Sequence, residues 1–201
     1  ITSDVDNIRA AWCGAAADGE SALIGQAAEA YWLFNEFRGT LAEGTANFRK
    51  AVNSFLPVED QPALAGFLLA GLGDMEARQW RLERGLSLMK EGISLMRKAQ
   101  PPDRRREAFA QAWLAFMLVL QGRYIESAQL ARESLRASTE TGDLWTQAGS
   151  LRLLGATALY RGNLDEAAAY LEHCRAICHE IGEVRIRVYA HANLEIGRAH
   201  V

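Results

Sequence analysis

Residues 151–182, LRLLGATALYRGNLDEAAAYLEHCRAICHEIG, decide the fold of this chain. Leu151, Leu154 and Ala158 recur at helical spacing before Gly162, which is predicted to end the first helix. Glycine supplies the left-handed backbone that the C-terminal end of a helix often needs. A second helical stripe of apolar residues follows, made of Leu164, Ala167, Ala168, Leu171, Cys174 and Ile177. The segment therefore predicts two helices joined by a short turn.

The same pattern of helix, turn and helix recurs along the chain. Similar turn segments begin at positions 39, 80, 122 and 162, so the period is 40 to 42 residues. No segment has the sustained alternation of apolar and polar residues that predicts a strand. The expected fold is all-α, a solenoid of antiparallel helix pairs with flanking helices. The expected repeats are residues 20–58, 60–100, 103–142 and 143–182, with a partial repeat at 183–194.

Small residues recur where the two helices of a pair are expected to touch. Gly73 and Gly85, Ala115 and Ser127, and Gly155 and Ala167 are each separated by twelve positions, and the small residues Gly92, Ser134 and Cys174 follow seven positions later. This alternation of small and large residues resembles the tetratricopeptide repeat over residues 21–194. The standard unit of that family has 34 residues, so the units of this chain are longer.

The resemblance implies a right-handed superhelix that acts by recognition, without catalytic residues or a cofactor. It places the first helix of each pair on a concave face. The residues it assigns to that face are Gln26, Glu29, Leu33, Phe67, Ala70, Asp74, Ala112, Phe116, Arg152 and Ala156. Phe67 and Phe116 would be aromatic anchors for a partner, because aromatic side chains contribute much of the binding energy at interfaces. Burial of these two rings between repeats is the alternative.

Residues 1–19 are expected to form a helix that precedes the array. The stretch DVDNIRAAWCGAAA at residues 4–17 resembles the helix that leads into the repeats of large bacterial signal-transduction ATPases of the STAND class, several of which regulate transcription. Repeats near 40 residues also resemble that subgroup. The resemblance implies an ATPase module elsewhere in the protein, with the array as its sensor arm or partner-binding arm. An ordinary amphipathic capping helix is the alternative interpretation.

Composition excludes some classes of protein. The 201 residues are 49% hydrophobic and 23% charged, which is typical of an ordinary globular protein. The net charge of −3 provides no general attraction to nucleic acid or to an anionic membrane. No apolar run reaches the length of about 18 residues that a membrane span needs. The three cysteines lack the spacing of a disulfide framework, which favours reduced thiols in a cytoplasmic protein.

The ends of the sequence suggest a fragment. Residue 1 is Ile1 and no signal peptide is present. The last seven residues, 195–201 (EIGRAHV), read like the translation of a common sequencing adapter, so we expect them to be a non-native tail.

The segment His173-Cys174-Arg175-Ala176-Ile177-Cys178-His179 carries the chemistry most typical of a metal site. Cys174 and Cys178 are four residues apart and share a helical face, and thiolates with imidazoles bind zinc. However, Cys174 occupies the small packing position of its repeat, and free cysteine commonly packs as a small hydrophobic residue. The histidines lie on either side of the cysteine face. Packing is therefore the favoured interpretation, and no metal is expected.

Lys98 and Arg104–Arg106 flank Pro101-Pro102 and form the main cluster of positive charge. This cluster is either a contact patch for an acidic partner or solvated charge at an exposed turn, and the net negative charge favours the second interpretation. The sequence lacks GxxxxGK[ST], HExxH and GxSxG motifs, so no catalytic site is expected in it.

Three functional hypotheses follow. The first is a binding domain of a bacterial signalling or transcription-regulating ATPase, which recognises a protein, a peptide or a small effector. The second is a standalone scaffold or adaptor. The third is an all-helical enzyme with zinc at the His/Cys segment. Direct contact with nucleic acid or membrane is not expected under the first two.

Overall fold

The computed structural model describes residues 2–55 and 61–199, and within these ranges the chain forms ten α-helices and no strand. The all-α class predicted from the sequence is confirmed. None of the described helices is both long enough and apolar enough to cross a membrane. The helices are α1 (Thr2–Ala17), α2 (Ser21–Arg38), α3 (Leu41–Ser54), α4 (Pro62–Arg78), α5 (Leu82–Lys98), α6 (Arg104–Leu120), α7 (Tyr124–Thr141), α8 (Leu144–Tyr160), α9 (Leu164–Glu180) and α10 (Arg185–Ala199).

The chain divides into two compact units, residues 1–103 and residues 104–201. In the first unit, α5 and α3 pack on α4, and α1 packs on α3 and α2. In the second unit, α6 pairs with α7 and α8 pairs with α9, and α10 packs on both members of the latter pair. The helix α10 continues through residues 195–199 of the expected non-native tail 195–201, and residues 200 and 201 lie outside the described residues.

The short turns inside the helix pairs share one backbone geometry. Gly39, Gly122 and Gly162 have φ angles of 70°, 72° and 78°, which lie in the left-handed region. The residue after each glycine returns an amide hydrogen bond to the end of the preceding helix, as from Arg123 N to Leu118 O at 2.9 Å and from Asn163 N to Ala158 O at 3.0 Å. These hydrogen bonds satisfy carbonyls that the helix end would otherwise leave without partners.

Small residues set the distance between paired helices. In the first unit, a Cβ atom placed on Gly73 would lie 2.5 Å from the carbonyl oxygen of Gly85, and one placed on Gly92 would lie 2.2 Å from that of Gly66. Backbone therefore touches backbone between α4 and α5. Bulkier residues at these positions would force the two helices apart.

The second unit uses small polar residues at the corresponding positions. Ser127 Oγ donates a hydrogen bond to Ala115 O at 2.8 Å, and Ser134 Oγ donates one to Ala108 O at 2.7 Å. Cys174 Sγ makes the contact equivalent to that of Ser134, with Ala148 O at 3.2 Å. Ser134 and Cys174 each lie 26 residues after their acceptor, so the register is the same in both pairs.

The first unit departs from this pattern at Trp32 of α2, which is fully buried. The indole is accommodated by Gly71 of α4, where an added Cβ atom would lie 3.1 Å from the Trp32 ring and 2.5 Å from the Phe48 ring. Its Nε1 donates a hydrogen bond to Asp74 Oδ2 at 2.9 Å. Trp12 of α1 completes this aromatic core by stacking on Tyr31, with ring centroids 4.3 Å apart.

Candidate functional site

The concave-face residues expected on α2 remain at least partly accessible. Gln26 is exposed, and Glu29 and Leu33 are half-buried. Gln26 lies at an apolar groove of about 650 Å³ between α1 and α2, which is also lined by Ile8 and Leu23. Gln26 is therefore at the surface, but the groove around it is lined mainly by apolar side chains.

The residues expected on the concave face from α4 are buried instead. Phe67, Ala70 and Asp74 are all fully buried, so their assignment to an accessible surface was wrong. The reason is that α4 is apolar all round and is enclosed along residues 64–77. For Phe67, the alternative of burial is the correct one.

Asp74 has a structural role in this enclosed helix. Its carboxylate accepts hydrogen bonds from Trp32 Nε1 and from Arg78 Nε, the latter at 3.2 Å. Arg78 Nε also lies 2.9 Å from Glu36 Oε2, so one guanidinium bridges two acids. Burial raises the pKa of the Asp74 carboxyl, and the charge of Arg78 opposes that shift.

In the second unit, the structure brings Phe116 and Arg152 together and adds Tyr189. The Arg152 guanidinium carbon lies 5.5 Å from the centroid of the Phe116 ring and 5.6 Å from that of the Tyr189 ring. These residues come from α6 and α8, which are first helices of their pairs and pack side by side, and from α10, which packs on α8. We call the surface made by these three helices the first-helix face. Arg152 lies between two aromatic rings on this face, at cation–π distance from both. Ala112 and Ala156, which were also assigned to the concave face, are buried.

Within the part of the chain that the structure describes, Arg152 has no acidic partner. No hydrogen bond or ion pair among the described residues engages its guanidinium. Burial lowers the pKa of Arg152, and the neighbouring Arg185 lowers it further. A half-buried cation without a carboxylate partner is costly, because the aromatic rings replace only part of its hydration. Binding of an anion would compensate for this loss of hydration.

Sequence reasoning missed Tyr189. The spacing of the three residues points to it. Arg152 follows Phe116 by 36 residues and Tyr189 follows Arg152 by 37, so both intervals are slightly shorter than one repeat. These intervals equal the 40-residue period less about one helical turn. Residues at such an interval lie on adjacent helices of the same kind, displaced by one turn along the helix axis. Tyr189 is 52% exposed, so its ring is accessible to a ligand as well as to Arg152.

The segment from His173 to His179 contributes Cys174 and Cys178 to a hydrophobic core of the second unit. Cys174 and Cys178 are buried with their Sγ atoms 4.0 Å apart, whereas His173 and His179 are exposed. The imidazoles and the thiols thus lie on different sides of α9. Residues 2–55 and 61–199 contain no group of three or more His, Cys, Asp or Glu side chains placed to hold a metal ion.

Thiol labelling should distinguish the three cysteines. Burial raises the pKa of both Cys174 and Cys178, so neither forms the reactive thiolate readily. Cys13 is only half-buried. We expect Ellman's reagent to modify Cys13 in the native protein and all three thiols in denaturant, as counted by absorbance. The variant Cys13→Ser is the control, and rapid labelling of that variant under native conditions would contradict the prediction.

The basic cluster predicted near residue 104 is largely paired within its own unit. Arg104 lies 3.5 Å from Glu107 and 3.3 Å from Glu140, and Arg105 lies 3.6 Å from Asp143. Lys98 is exposed at the end of α5. The pairing agrees with the interpretation of solvated surface charge for the arginines.

Comparison with known proteins supports the repeat assignment. The profile of a tetratricopeptide repeat family matches residues 147–181, which contain most of α8 and α9. Two solved structures similar to this chain are of a Podosopora anserina protein described as a putative kinesin light chain with nearly identical TPR-like repeats. One of them, a variant with a single substitution, has a TM-score of 0.64 at 14% identity and covers 88% of this chain and 85% of its own. The other has a TM-score of 0.63 at 14% identity and covers 88% of this chain and 86% of its own.

No curated protein sequence matches the chain. At 14% identity, the likeness to the solved structures concerns the fold alone. The profile match and the fold agree with the helix pairs and the small-residue contacts described above. The chain therefore contains a tetratricopeptide-like repeat region with an all-α repeat fold.

Proposed function

We propose that this chain is a protein-binding repeat region and that the first-helix face of α6, α8 and α10 recognises an acidic segment of a partner. Arg152 would bind a carboxylate of that segment, while Phe116 and Tyr189 hold the guanidinium in place and contact apolar parts of the ligand. The observation that carries the proposal is the guanidinium that lies at cation–π distance from two rings and has no acidic partner among residues 2–55 and 61–199.

Three physical features favour an acidic peptide as the ligand. The planar guanidinium offers a fork of donors that matches a carboxylate, and charge-assisted hydrogen bonds are the stronger class. The flanking rings limit the rotamers of Arg152, so less side-chain entropy is lost on binding. Tryptophan, tyrosine and arginine are the residues most enriched among those that dominate binding energy, and two of the three side chains at this site belong to that set.

The variant Arg152→Gln tests the role of the guanidinium. We expect peptides selected from a display library on the wild-type chain to be rich in Asp and Glu. Replacing Arg152 should weaken the binding of those that use this face by about 10- to 100-fold, because a hydrogen bond to a charged group contributes about 1.5–3 kcal/mol. Fluorescence anisotropy of labelled peptides measures the loss.

Arg132→Gln is the matched control. Arg132 is an exposed arginine of the same unit that lies 3.8 Å from Glu166 on the neighbouring helix. Its removal takes away the same charge but leaves the first-helix face unchanged. Equal losses in the two variants would mean that overall charge governs binding and would contradict the proposed site. Selected peptides without acidic residues would also contradict it.

We further propose that this region is the partner-binding arm of a larger STAND-class signalling or transcription-regulating ATPase in the cytoplasm. The support is the 40-residue period and the helix α1 that precedes the repeats. A standalone scaffold agrees equally well with the fold. Extending the reading frame of the gene in both directions distinguishes them. An upstream GxxxxGK[ST] motif supports the regulator, whereas a start codon adjoining Ile1 with no further domain supports the scaffold.

A further inference from the structure

The turn between α4 and α5 differs from the other turns inside helix pairs. Its left-handed position is held by Trp80, with a φ angle of 67°, where the other pairs have Gly39, Gly122 and Gly162. The hydrogen bonds are the same as in the glycine turns, from Trp80 N to Ala77 O and from Arg81 N to Glu76 O, each at 3.1 Å. The fold therefore requires only the backbone geometry that glycine provides and makes no use of the indole.

Trp80 is unfavourable at this position for two reasons. A residue with a Cβ atom is strained in the left-handed region, and β-carbon crowding is absent only for glycine. In addition, Trp80 is 96% exposed, so nearly all of a large apolar side chain faces water. A left-handed backbone at a residue whose large apolar side chain faces water motivates the hypothesis that Trp80 is kept for binding.

A positively charged cleft adjoins the tryptophan. It has a volume of about 380 Å³, lies between α3 and the start of α5, and includes the arginines Arg49, Arg81 and Arg84 in its lining. Gln79 and Arg81, the two neighbours of Trp80 in the sequence, both contribute to the cleft. One bound segment could therefore place an anionic group in the cleft and another side chain against the indole.

Two of the three arginines that line the cleft share one buried carboxylate. Arg49 and Arg81 both donate to the carboxylate of Glu76, which is fully buried, and each takes a different oxygen. Together these arginine hydrogen bonds hold the pKa of Glu76 below its ordinary value, although burial acts in the opposite direction. Arg84 is exposed and takes part in no hydrogen bond or ion pair among the described residues. Among the described residues, Arg49 and Arg81 thus share one carboxylate, and Arg84 pairs with none.

We propose that the α4–α5 turn is a second binding surface, on which Trp80 docks an apolar side chain of a protein partner and the arginine cleft takes a carboxylate from the same segment. A carboxylate fits because Arg49 and Arg81 already donate to a carboxylate, that of the buried Glu76, while Arg84 has no such partner among the described residues. The positive end of the α5 dipole adds to the attraction, since no side chain caps that helix start. This surface belongs to the first unit and uses none of the residues of the first-helix face.

The variant Trp80→Gly separates binding from stability. A random 12-residue peptide library displayed on phage and selected on the full chain should yield peptides with Asp or Glu near a large apolar residue. A class of these peptides should lose at least about tenfold in affinity with Trp80→Gly and with Arg84→Gln, yet bind Arg152→Gln as tightly as wild type. The melting temperature of Trp80→Gly should equal or exceed that of wild type, because glycine relieves the strained backbone.

Ile125→Ala is the matched control for exposed apolar surface. Ile125 is 75% exposed near the turn before α7, so its removal should leave the affinity of this class unchanged. Three results would overturn the proposal: no selected peptide is sensitive to Trp80→Gly, sensitivity is equal in Ile125→Ala, or Trp80→Gly melts well below wild type. Tighter binding of a phosphoserine version than of the glutamate peptide would overturn the assignment of a carboxylate ligand.

Discussion

Replacing Gly92 with valine is expected to destabilise the protein by about 3 kcal/mol or more, at the upper end of the range for overpacked interiors. The added Cβ atom would lie 2.2 Å from Gly66 O and 2.8 Å from Ala70 N. Both are backbone atoms of α4, so no side-chain rotation can relieve the clash. The helices α4 and α5 must separate, and the contacts on both sides of Gly92 are lost. Urea denaturation followed by far-UV circular dichroism measures the change in the free energy of unfolding.

Gly149→Ala is the control for the loss of glycine from a helix. Gly149 lies within α8, and a Cβ atom added there would meet nothing within 4 Å. Alanine should therefore stabilise this helix by about 0.5–1 kcal/mol, through the reduced backbone entropy of the unfolded chain. A Gly92→Val protein within about 1 kcal/mol of wild type, on the scale of an ordinary substitution, would contradict the close approach of α4 and α5.

Replacing Trp32 with alanine is expected to destabilise the protein by about 3–5 kcal/mol, the usual range for removing a large buried aromatic side chain. Trp32 is fully buried and contacts the rings of Phe48 and Phe67 at centroid distances of 6.4 and 5.4 Å. Its loss would leave a cavity beside Gly71, which has no side chain to fill the space. The same urea titration applies.

Trp32→Phe separates packing from hydrogen bonding. Phenylalanine retains most of the apolar volume but cannot donate to Asp74, which now accepts the Nε1 hydrogen bond of Trp32. We expect a loss of about 1–3 kcal/mol, from the smaller ring and from one of the hydrogen bonds to the buried Asp74 carboxylate together. An alanine variant that is no less stable than the phenylalanine variant would show that the indole does not fill the core as described.

The two binding predictions concern different units of the chain. Arg152→Gln addresses the first-helix face of the second unit, and Trp80→Gly addresses the turn of the first. A peptide that depends on one residue should not depend on the other. If the proposal for one surface is contradicted, the proposal for the other is therefore unaffected. The assignment of the repeat fold depends on neither.

The sequence predicted the helix pairs because their signals are local. Apolar spacing within 17 or 18 residues and a glycine at the left-handed turn act within one helix or one connection. The register between paired helices was also foreseeable, since small residues twelve positions apart meet across a tight turn, as Ser127 does with Ala115. Even the burial of α4 had a local signal, namely its apolar residues on every side.

Which side chains stay accessible was decided by tertiary structure. Arg152 lies between Phe116 and Tyr189 only because three helices that are distant in sequence pack side by side. Trp32 is buried at a position where the other repeats have a small residue, because Gly71 of α4, 39 positions later, leaves space for its ring. The backbone of a helix pair is determined by neighbours a few residues away, so it can be deduced from sequence. Exposure and charge pairing depend on residues that only folding brings together, as the half-buried Arg152 beside Phe116 and Tyr189 shows.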